Sequence, residues 1–492
     1  MRYILSIDQS TQGTKAILTD DTGRIAARFD AAHRQWIDDN GWVEHDAEEI
    51  WRNVLLVAKH VVERAGIDPG QIAGIGLSNQ RETCMVWDKV TGKPVCRAIV
   101  WQCGRAAEIC RALLERGLAG RVKERTGMTL SPYFSAAKLA WILQNVPQAA
   151  ALQREGRLCC GTIDSWLVWN MTGGGVFATD YSNASRTQLF NIFSLQWDEE
   201  LLDWFGVACG SLPEVRFSDA GFGETDLCGL LPKPVAIHCV LGDSHAALFA
   251  QGCSKSGMVK ATYGTGSSIM MNIGSRPQRS ETVVTSLAWG MDGKVSYVLE
   301  GNINYTGAVM TWLKDDVGLI SSAKEAGTLS AQANPNDRTY LVPAFSGLGA
   351  PYWDSGASAV FYGMSRTTGR KELVRAAEES IAYQITDIVC AMERDADVHI
   401  AQLRADGGPT ADAYLMQFQA DILNRTIAVS SAQELSALGA AYCAGIALGM
   451  YDSERIFDVI GRSQYAPQME PDVRERKYNG WRRAVASALS GK

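Results

Sequence analysis

The stretch Cys239-Val240-Leu241-Gly242-Asp243-Ser244-His245-Ala246-Ala247-Leu248-Phe249, at the middle of the chain, decides how the fold is interpreted. Its apolar beginning predicts the end of a buried strand, which Gly242 breaks. An apolar helix is expected to follow and to run to Gln251. The Asp243 carboxylate then has two interpretations. It caps the first helical turn, or it stands as an exposed base at the carboxyl end of a strand, where α/β sheets place their chemistry.

Length, charge and cysteine usage limit the possible classes of protein. A chain of 492 residues is too long for one hydrophobic core, so two or three domains are expected. A net charge of −7 without a Lys- or Arg-rich run argues against a nucleic-acid partner. We expect a cytoplasmic protein with no membrane span, because neither a long apolar stretch nor a signal-peptide layout is found. The 12 cysteines lack a recurring spacing and predict neither a zinc site nor a disulfide framework.

The first strands of the chain enclose a polar turn. Strands are predicted at residues 3–7 and 15–19 and again from Arg24, which makes an antiparallel meander. The first turn, residues 8–14, carries an acid, hydroxyls and a glycine, and Lys15 follows it. Backbone N–H groups, hydroxyls and a cation suit a phosphate chain. A plain hairpin turn remains the alternative, because Gly, Ser and Thr are common in turns.

The same arrangement returns about 250 residues later. Residues 258–262 predict a strand, Tyr263-Gly264-Thr265-Gly266-Ser267 a turn of similar chemistry, and residues 268–273 a second strand. Two such phosphate turns, one in each of two α/β domains, are how the actin-like ATPase fold holds a nucleotide. The predicted fold class is therefore α/β. We expect two actin-like (ribonuclease H-like) ATPase domains, residues 1–250 and 251–492, flanking a deep cleft for nucleotide and substrate.

Other residues suggest contacts with a polyol and with a nucleoside. Arg81 donates and Glu82 accepts hydrogen bonds, so the pair suits hydroxyl groups, although adjacent Arg and Glu are usually solvated. Trp101 and Tyr133 would add an apolar wall with polar tips, although such residues are more often core. The pair Gly407-Gly408 lets a flat ring such as adenosine approach the backbone, or simply makes a tight strand-to-helix turn.

Long motifs along the chain resemble those of the FGGY carbohydrate kinases, and they are most similar to the branch that phosphorylates glycerol. They lie at residues 41–46 (GWVEHD), 78–83 (SNQRET), 99–103 (IVWQC), 132–135 (PYFS), 179–187 (TDYSNASRT), 262–266 (TYGTG), 345–354 (FSGLGAPYWD) and 415–419 (LMQFQ). The resemblance implies transfer of the γ-phosphoryl group of ATP, with Mg2+, to a hydroxyl of a small polyol, with glycerol the expected substrate. A homodimer or homotetramer is also expected.

The resemblance further implies a role for each candidate residue. Asp243 would be the catalytic base, which suits phosphoryl transfer because one carboxylate aligns the nucleophile. Asp243 and Asp8 would hold Mg2+, partly through water. The expected substrate contacts are Arg81, Glu82, Trp101, Tyr133, Asp243 and Ser244. The expected nucleotide contacts are Thr11, Gln12, Lys15, Thr265, Gly307, Thr311, Gly408 and Asp412.

Several positions depart from the family pattern. Ser244 stands where Gln is usual, Ser268 where an aromatic is usual, and Ser131 where Asp is frequent. Each change removes bulk, so a longer polyol or a ketose (erythritol, a pentitol or xylulose) is the alternative substrate. Lys15 replaces an Arg and loses its fork geometry, and Asp412 replaces an Asn beside the adenine.

Two further expectations follow from the same comparison of motifs. Residues 227–233 replace the family's Gly-rich allosteric loop, so we expect no inhibition by fructose 1,6-bisphosphate at that site. A non-catalytic nucleotide switch or a filament-forming relative on the same fold is the competing class of function. Such a protein would not need the polyol-binding set around Arg81 and Trp101.

Overall fold

The computed structural model describes residues 1–489, which form mixed α/β layers. The strands are β1 (Tyr3–Gln9), β2 (Gly13–Thr19), β3 (Ile25–Ala32), β4 (Gln35–Ile37), β5 (Val43–His45), β6 (Ile72–Asn79), β7 (Cys84–Asp88), β8 (Ala98–Ile99), β9 (Leu158–Thr162), β10 (Ala178–Asp180), β11 (Phe190–Asn191), β12 (Gln196–Trp197), β13 (Glu214–Arg216), β14 (Glu224–Thr225), β15 (Val235–Gly242), β16 (Val259–Tyr263), β17 (Ser267–Gly274), β18 (Val284–Met291), β19 (Lys294–Ile303), β20 (Tyr340–Val342), β21 (Val360–Tyr362), β22 (Gln402–Asp406), β23 (Thr426–Ser430) and β24 (Arg462–Tyr465).

The α-helices are α1 (Ala47–Ala65), α2 (Ala107–Glu115), α3 (Ala119–Thr126), α4 (Ser135–Asn145), α5 (Pro147–Arg154), α6 (Ile163–Met171), α7 (Tyr181–Ala184), α8 (Glu199–Phe205), α9 (Asp243–Ala250), α10 (Gly307–Thr311), α11 (Ala323–Ala331), α12 (Arg370–Ala396), α13 (Ala413–Leu423), α14 (Leu435–Ala447) and α15 (Pro471–Ala488). Short 3₁₀ turns occur at Pro69–Gln71, Cys209–Ser211, Gly408–Ala411 and Ile456–Val459, and Trp312–Asp316 is π-helical.

The first sheet has the strand order β14–β15–β6–β1–β2–β3. β1, β2 and β3 form the predicted antiparallel meander, while β1, β6 and β15 run parallel. The side chains of β1 are buried on both faces, as is usual for a strand inside a parallel sheet. Leu5 and Ile7 belong to the core that includes α1, and Ile4 belongs to the core that includes α14.

The second sheet has the strand order β18–β19–β17–β16–β22–β23–β24. β16 and β17 form the second predicted hairpin, and β16, β22 and β23 run parallel. A buried core that includes residues of α12 and α13 packs against this sheet. Two α/β halves, each with its own hairpin, confirm the predicted fold class. The division at residue 250 remains a prediction, and α14 from the second half packs against the first sheet.

The strand register aligns three strand ends at one edge of the first sheet. Gln9 at the end of β1 and Gly242 at the end of β15 both lie opposite Asn79 at the end of β6. Residues within two positions of these ends include Asp8, Arg81 and Asp243, so the register brings the predicted acids and the predicted arginine to the same edge.

A third sheet, with the order β4–β5–β8–β7–β9, lies in the first half and places Trp101 two residues after β8. Within residues 1–489, no helix has the length and apolar character needed to cross a membrane.

Helix α9 is held by a close helix–helix contact at Gly439 of α14. A Cβ atom added to Gly439 would overlap the carbonyl oxygen of Ala246 in α9. We expect Gly439→Ala to lower the free energy of unfolding by about 1–3 kcal/mol, because overpacking forces the helices apart. Thermal unfolding of the purified variant measures this loss.

The matched control is Gly120→Ala in α3, where an added Cβ meets no atom within 4 Å. This variant should be as stable as the parent or up to about 1 kcal/mol more stable, because Ala is the better helix former. Equal melting temperatures for both variants would contradict the contact.

Candidate active site

A cleft of about 1070 Å³ is lined by residues of both sheets and of the turns that follow their strands. Most of the candidate residues predicted from the sequence lie on it. These are Asp8, Lys15, Trp101, Tyr133, Asp243, Ser244, Thr265 and Gly408. The first hairpin, through Asp8 and Lys15, and the polar turn after β16 therefore face one cavity, as the actin-like fold requires.

A second cavity of about 280 Å³ adjoins the cleft. Its walls include the other predicted nucleotide residues, namely Gly307, Thr311 and Asp412, and it shares Gly408 with the main cleft. Met310, Ile381 and Leu415 add apolar surface. A polar cleft that opens into an apolar pocket is a shape that suits phosphates on one side and a flat ring on the other.

Gly407 and Gly408 have different environments. Gly407 has a φ of +101°, and a Cβ on it would overlap the carbonyl oxygen of Tyr263 at the end of β16. The close approach predicted for this glycine pair is therefore made at Gly407 by the protein backbone. Gly408 has no atom within 4 Å of its added Cβ and faces both cavities.

Thr11 and Gln12 do not line either cavity. The Oγ1 atom of Thr11 accepts a hydrogen bond of 2.9 Å from Nε1 of Trp101. Gln12 is exposed, and its carbonyl accepts from the backbone N–H of His33. The first hairpin thus presents Asp8 of β1 and Lys15 of β2 to the cleft, while the nucleotide contacts of Thr11 and Gln12 remain predictions.

Asp243 is the first residue of α9, and Gly242 occupies the N-cap position without a side-chain cap. The interpretation of Asp243 as the capping residue is therefore wrong, although its Oδ1 accepts the N–H of Ser244 at 2.6 Å. The side chain is 33% exposed and faces the cleft, and its Oδ1 lies 3.2 Å from Nε of Arg81. A carboxyl oxygen is thus available to a hydroxyl group in the cleft.

Arg81 and Glu82 are not a solvated pair, because both are buried. Arg81 donates from Nη1 and Nη2 to the two carboxylate oxygens of Glu300, each at 3.0 Å. Glu82 accepts from Nε of Arg186 at 2.5 Å, and Arg186 also donates to Glu300 at 2.8 Å. Arg81 and Glu82 lie behind the cleft wall rather than on it, so their contact with a substrate remains a prediction.

Glu300 and Arg186, the partners of Arg81 and Glu82, were not predicted from the sequence. Glu300 lies in the apolar strand β19, and a charge inside such a strand was the available signal. The arginine-rich neighbourhood holds the pKa of the Glu300 carboxyl far below its usual value, with Arg186 and Arg81 as the main causes against the effect of burial. The carboxylate is therefore ionised at neutral pH.

Trp101 and Tyr133 form one wall of the cleft, with ring centroids 5.4 Å apart. Burial raises the pKa of the Tyr133 phenol well above its usual value. The phenol therefore keeps its proton and can donate a hydrogen bond. Ser244 and Ser268 also line the cleft, whereas Ser131 lies beneath Tyr133 and accepts its backbone N–H at 3.2 Å.

Asp8 is buried at the end of the cleft, and its Oδ1 accepts a hydrogen bond of 2.9 Å from Ser78. Burial raises the pKa of the Asp8 carboxyl to about 6, the nearby Lys15 opposes the rise, and the charge of Asp243 adds to it. Two carboxyl groups that repel each other when charged therefore face the same cleft, and a cation would relieve this repulsion.

The carboxyl oxygens of Asp8 and Asp243 suit Mg2+ better than a metal that needs a full set of protein ligands. Among residues 1–489, no group of three or more His, Cys, Asp or Glu side chains could hold a metal ion. Asp8 and Asp243 would supply one or two oxygens, which is usual where Mg2+ takes its other ligands from phosphate and water.

Lys15 faces the cleft but is paired with Glu434 of the second half, with Nζ and Oε2 at 2.7 Å. Glu434 also pairs with Arg28 at 2.6 Å.

Two more charged groups of the second sheet, Lys260 and Asp406, line the cleft and were not predicted. Lys260 is buried and donates to Oγ1 of Thr262 at 2.8 Å. Both halves of the molecule thus place a lysine on the cleft, Lys15 from the first and Lys260 from the second.

Asp412 caps α13 in addition to lining the second cavity. Its Oδ1 accepts the N–H groups of Tyr414 and Leu415 at 2.8 and 3.3 Å. We expect Asp412→Ala to lower the free energy of unfolding by about 1 kcal/mol, because a helix cap is lost. Asp412→Asn, which can still cap, should lose only a few tenths of a kcal/mol. Thermal unfolding distinguishes the two, and equal losses would contradict the capping role.

Comparison with known proteins agrees with this geometry. The model for the N-terminal domain of the FGGY family of carbohydrate kinases matches residues 3–250, and the model for its C-terminal domain matches residues 259–448. Glycerol kinase 1 of Thermotoga maritima is 48% identical over 99% of this chain and 100% of its own length. Glycerol kinase of Bacillus licheniformis is 45% identical over 100% of both chains.

Solved structures lead to the same family. The crystal structure of Plasmodium falciparum glycerol kinase with ADP matches with a TM-score of 0.95 and 34% identity, over 100% of this chain and 99% of the other. The xylulose kinase of Lactobacillus acidophilus shares the fold, with a TM-score of 0.89 and 22% identity over 99% of this chain and 98% of the other. With both family models matched along most of its length, this chain belongs to the FGGY family of carbohydrate kinases and is a phosphotransferase.

Proposed function

We propose that this chain transfers the γ-phosphoryl group of ATP to a terminal hydroxyl of glycerol and so forms glycerol 3-phosphate. One observation carries the proposal: the partly exposed carboxylate of Asp243 shares a single cleft with Asp8 and Lys15 of the first hairpin and with the polar turn that follows β16. The names of the full-length relatives support glycerol as the acceptor. The protein's location in the cytoplasm and its assembly as a homodimer or homotetramer remain predictions.

Asp243 acts in this proposal as the base that aligns the acceptor. Its free oxygen accepts the hydrogen bond of the substrate hydroxyl and takes the proton as that oxygen attacks the γ-phosphate. The nearby guanidinium of Arg81 keeps the carboxylate oriented, with Nε at 3.2 Å from Oδ1. Trp101 and Tyr133 supply the wall against which a short polyol carbon chain packs.

The phosphates lie between the two polar turns. Lys15 on β2 of the first hairpin and the backbone N–H groups around Thr265 on the second turn offer positive charge and donors to the β- and γ-phosphates. Bound Mg2+ would neutralise phosphate charge, and Asp8 with Asp243 would hold it directly or through water. Gly408 leads from the phosphate region to the apolar cavity, where the adenosine is proposed to bind.

Closure of the cleft is expected when both ligands bind. Residues of both sheets line the cavity, so movement of one half toward the other would exclude water from the γ-phosphate. Without such closure, water would compete with the polyol as the nucleophile.

A longer polyol or a ketose is the second candidate acceptor, and one observation favours it. Ser244 and Ser268, both small, line the same cleft as Asp243. A screen of ADP release over three- to six-carbon polyols and ketoses, compared as kcat/KM, tests the choice. Glycerol should give the highest value, and a clearly higher value for a tetritol, pentitol or ketulose would replace glycerol as the substrate.

Replacement of Asp243 by Ala tests the base. We expect kcat for glycerol to fall by at least about 10²-fold, because general-base assistance contributes 10²- to 10⁴-fold, while ATP binding is retained. Coupled ADP release gives kcat, and nucleotide titration gives the affinity. Asp203→Ala on the exposed face of α8 is the control and should leave both unchanged. Near-normal kcat in the Asp243 variant would refute the assignment.

The raised pKa of Asp8 predicts a pH dependence of Mg2+ binding. The carboxyl is charged above about pH 6 and neutral below it, so protons should compete with Mg2+ as the pH falls. We expect apparent Mg2+ affinity, from titrations of turnover, to decrease from about pH 7 to about pH 5. In the Asp8→Asn variant, the decrease in Mg2+ affinity that remains is the part due to protonation of ATP itself. The same decrease in the parent and in this variant would contradict a role for Asp8.

A further inference from the structure

The ion pair between Arg81 and Glu300 joins the two halves of the molecule at the active edge. Arg81 follows β6 of the first sheet, and Glu300 lies in β19 of the second sheet. Both terminal nitrogens of the guanidinium donate to the Glu300 carboxylate at 3.0 Å, and Glu300 is fully buried. The remaining Nε forms an ion pair with Asp243, at 3.2 Å from its Oδ1.

This geometry fixes the direction of the guanidinium. The five N–H donors of an arginine lie in one plane, so a two-point contact with a carboxylate sets the plane and its rotation. With Nη1 and Nη2 held by Glu300, the rotation of the group, and with it the position of Nε beside Asp243, is fixed. A point contact such as Lys provides would leave that rotation free.

Charge balance alone gives a different account of Glu300. Its Oε2 also accepts from Nη1 of Arg186, so Glu300 offsets two buried arginines. A buried arginine without a partner is strongly destabilising. If this were the whole role, removal of the Glu300 charge would lower stability without a specific effect on polyol turnover.

We propose that Glu300 is a positioning residue for phosphoryl transfer, which acts by holding Arg81 so that Nε faces the carboxylate of Asp243. The second sheet thereby orients the base on the first sheet, and the base is correctly oriented only while the two halves are in contact. This inference rests on the proposed glycerol kinase function and assigns a role in it to a residue that lies behind the cleft wall.

The direct test is Glu300→Gln, which keeps the shape of the side chain and removes its charge. We expect kcat/KM for glycerol to fall about 10- to 100-fold, because a small misorientation of a catalytic group has an effect of that size. The KM for ATP and the slow hydrolysis of ATP without polyol should stay within about twofold of the parent, because neither depends on the orientation of the hydroxyl.

A double-mutant cycle separates positioning from charge balance. Arg81→Lys keeps the charge and loses the two-point contact, so Glu300→Gln should cost much less in that background than in the parent. Additive losses of kcat/KM in the cycle would overturn the proposal. Unchanged kcat/KM for glycerol in Glu300→Gln would overturn it as well.

The matched control is Asp337→Asn, which removes the charge from another buried pair, Arg375 with Asp337, away from the cleft. It should lower the melting temperature and leave kcat/KM unchanged.

If Glu300→Gln does not fold, Glu300→Asp is the second variant, because it keeps the charge but shortens the reach of the side chain. A loss of kcat/KM relative to the control supports the proposal, and the absence of such a loss overturns it. Absence of glycerol turnover in the parent protein would refute the proposed function and this inference together, whereas parent turnover with an unaffected variant refutes the inference alone.

Discussion

The level alignment of three parallel strand ends is the constraint on which the rest of the site depends. Gln9 and Gly242 both lie opposite Asn79, so β1, β6 and β15 end together. Backbone hydrogen bonds along the sheet fix this register, and a slip of one residue would turn side chains to the opposite face. The alignment brings Asp8, Arg81 and the proposed base Asp243 to the same edge of the sheet.

The charged groups of the site differ in burial and therefore in what they can bind. Arg81, Glu82, Arg186 and Glu300 are almost completely buried and satisfy one another. Such a network is costly to break, since each partner would be left as an unpaired buried charge. Asp243 and Lys15 keep part of their surface in the cleft. The buried network supports the position of Arg81, and the partly exposed side chains of Asp243 and Lys15 remain available to ligands.

Much of the fold followed from local pattern. Alternation and turn residues predicted both hairpins and the central strand that ends at Gly242, and long motifs identified the family. The capping interpretation of Asp243 failed because the helix begins one residue earlier than that interpretation requires. The packing of α14 on the first sheet could not be predicted, since its residues are buried nearly all round and the pattern does not indicate a partner. The partners of Arg81 and Glu82 are 219 and 104 residues away, a separation that local pattern does not address.

Direct phosphoryl transfer requires ATP, Mg2+ and glycerol to lie together in the cleft in one arrangement. A crystal structure with Mg2+, glycerol and a non-hydrolysable ATP analogue measures this arrangement most directly. We predict a glycerol hydroxyl hydrogen-bonded to Asp243 and in line with a terminal phosphate held between Lys15 and the Thr265 turn. Glycerol bound out of reach of Asp243, or a terminal phosphate outside the two turns, would contradict it.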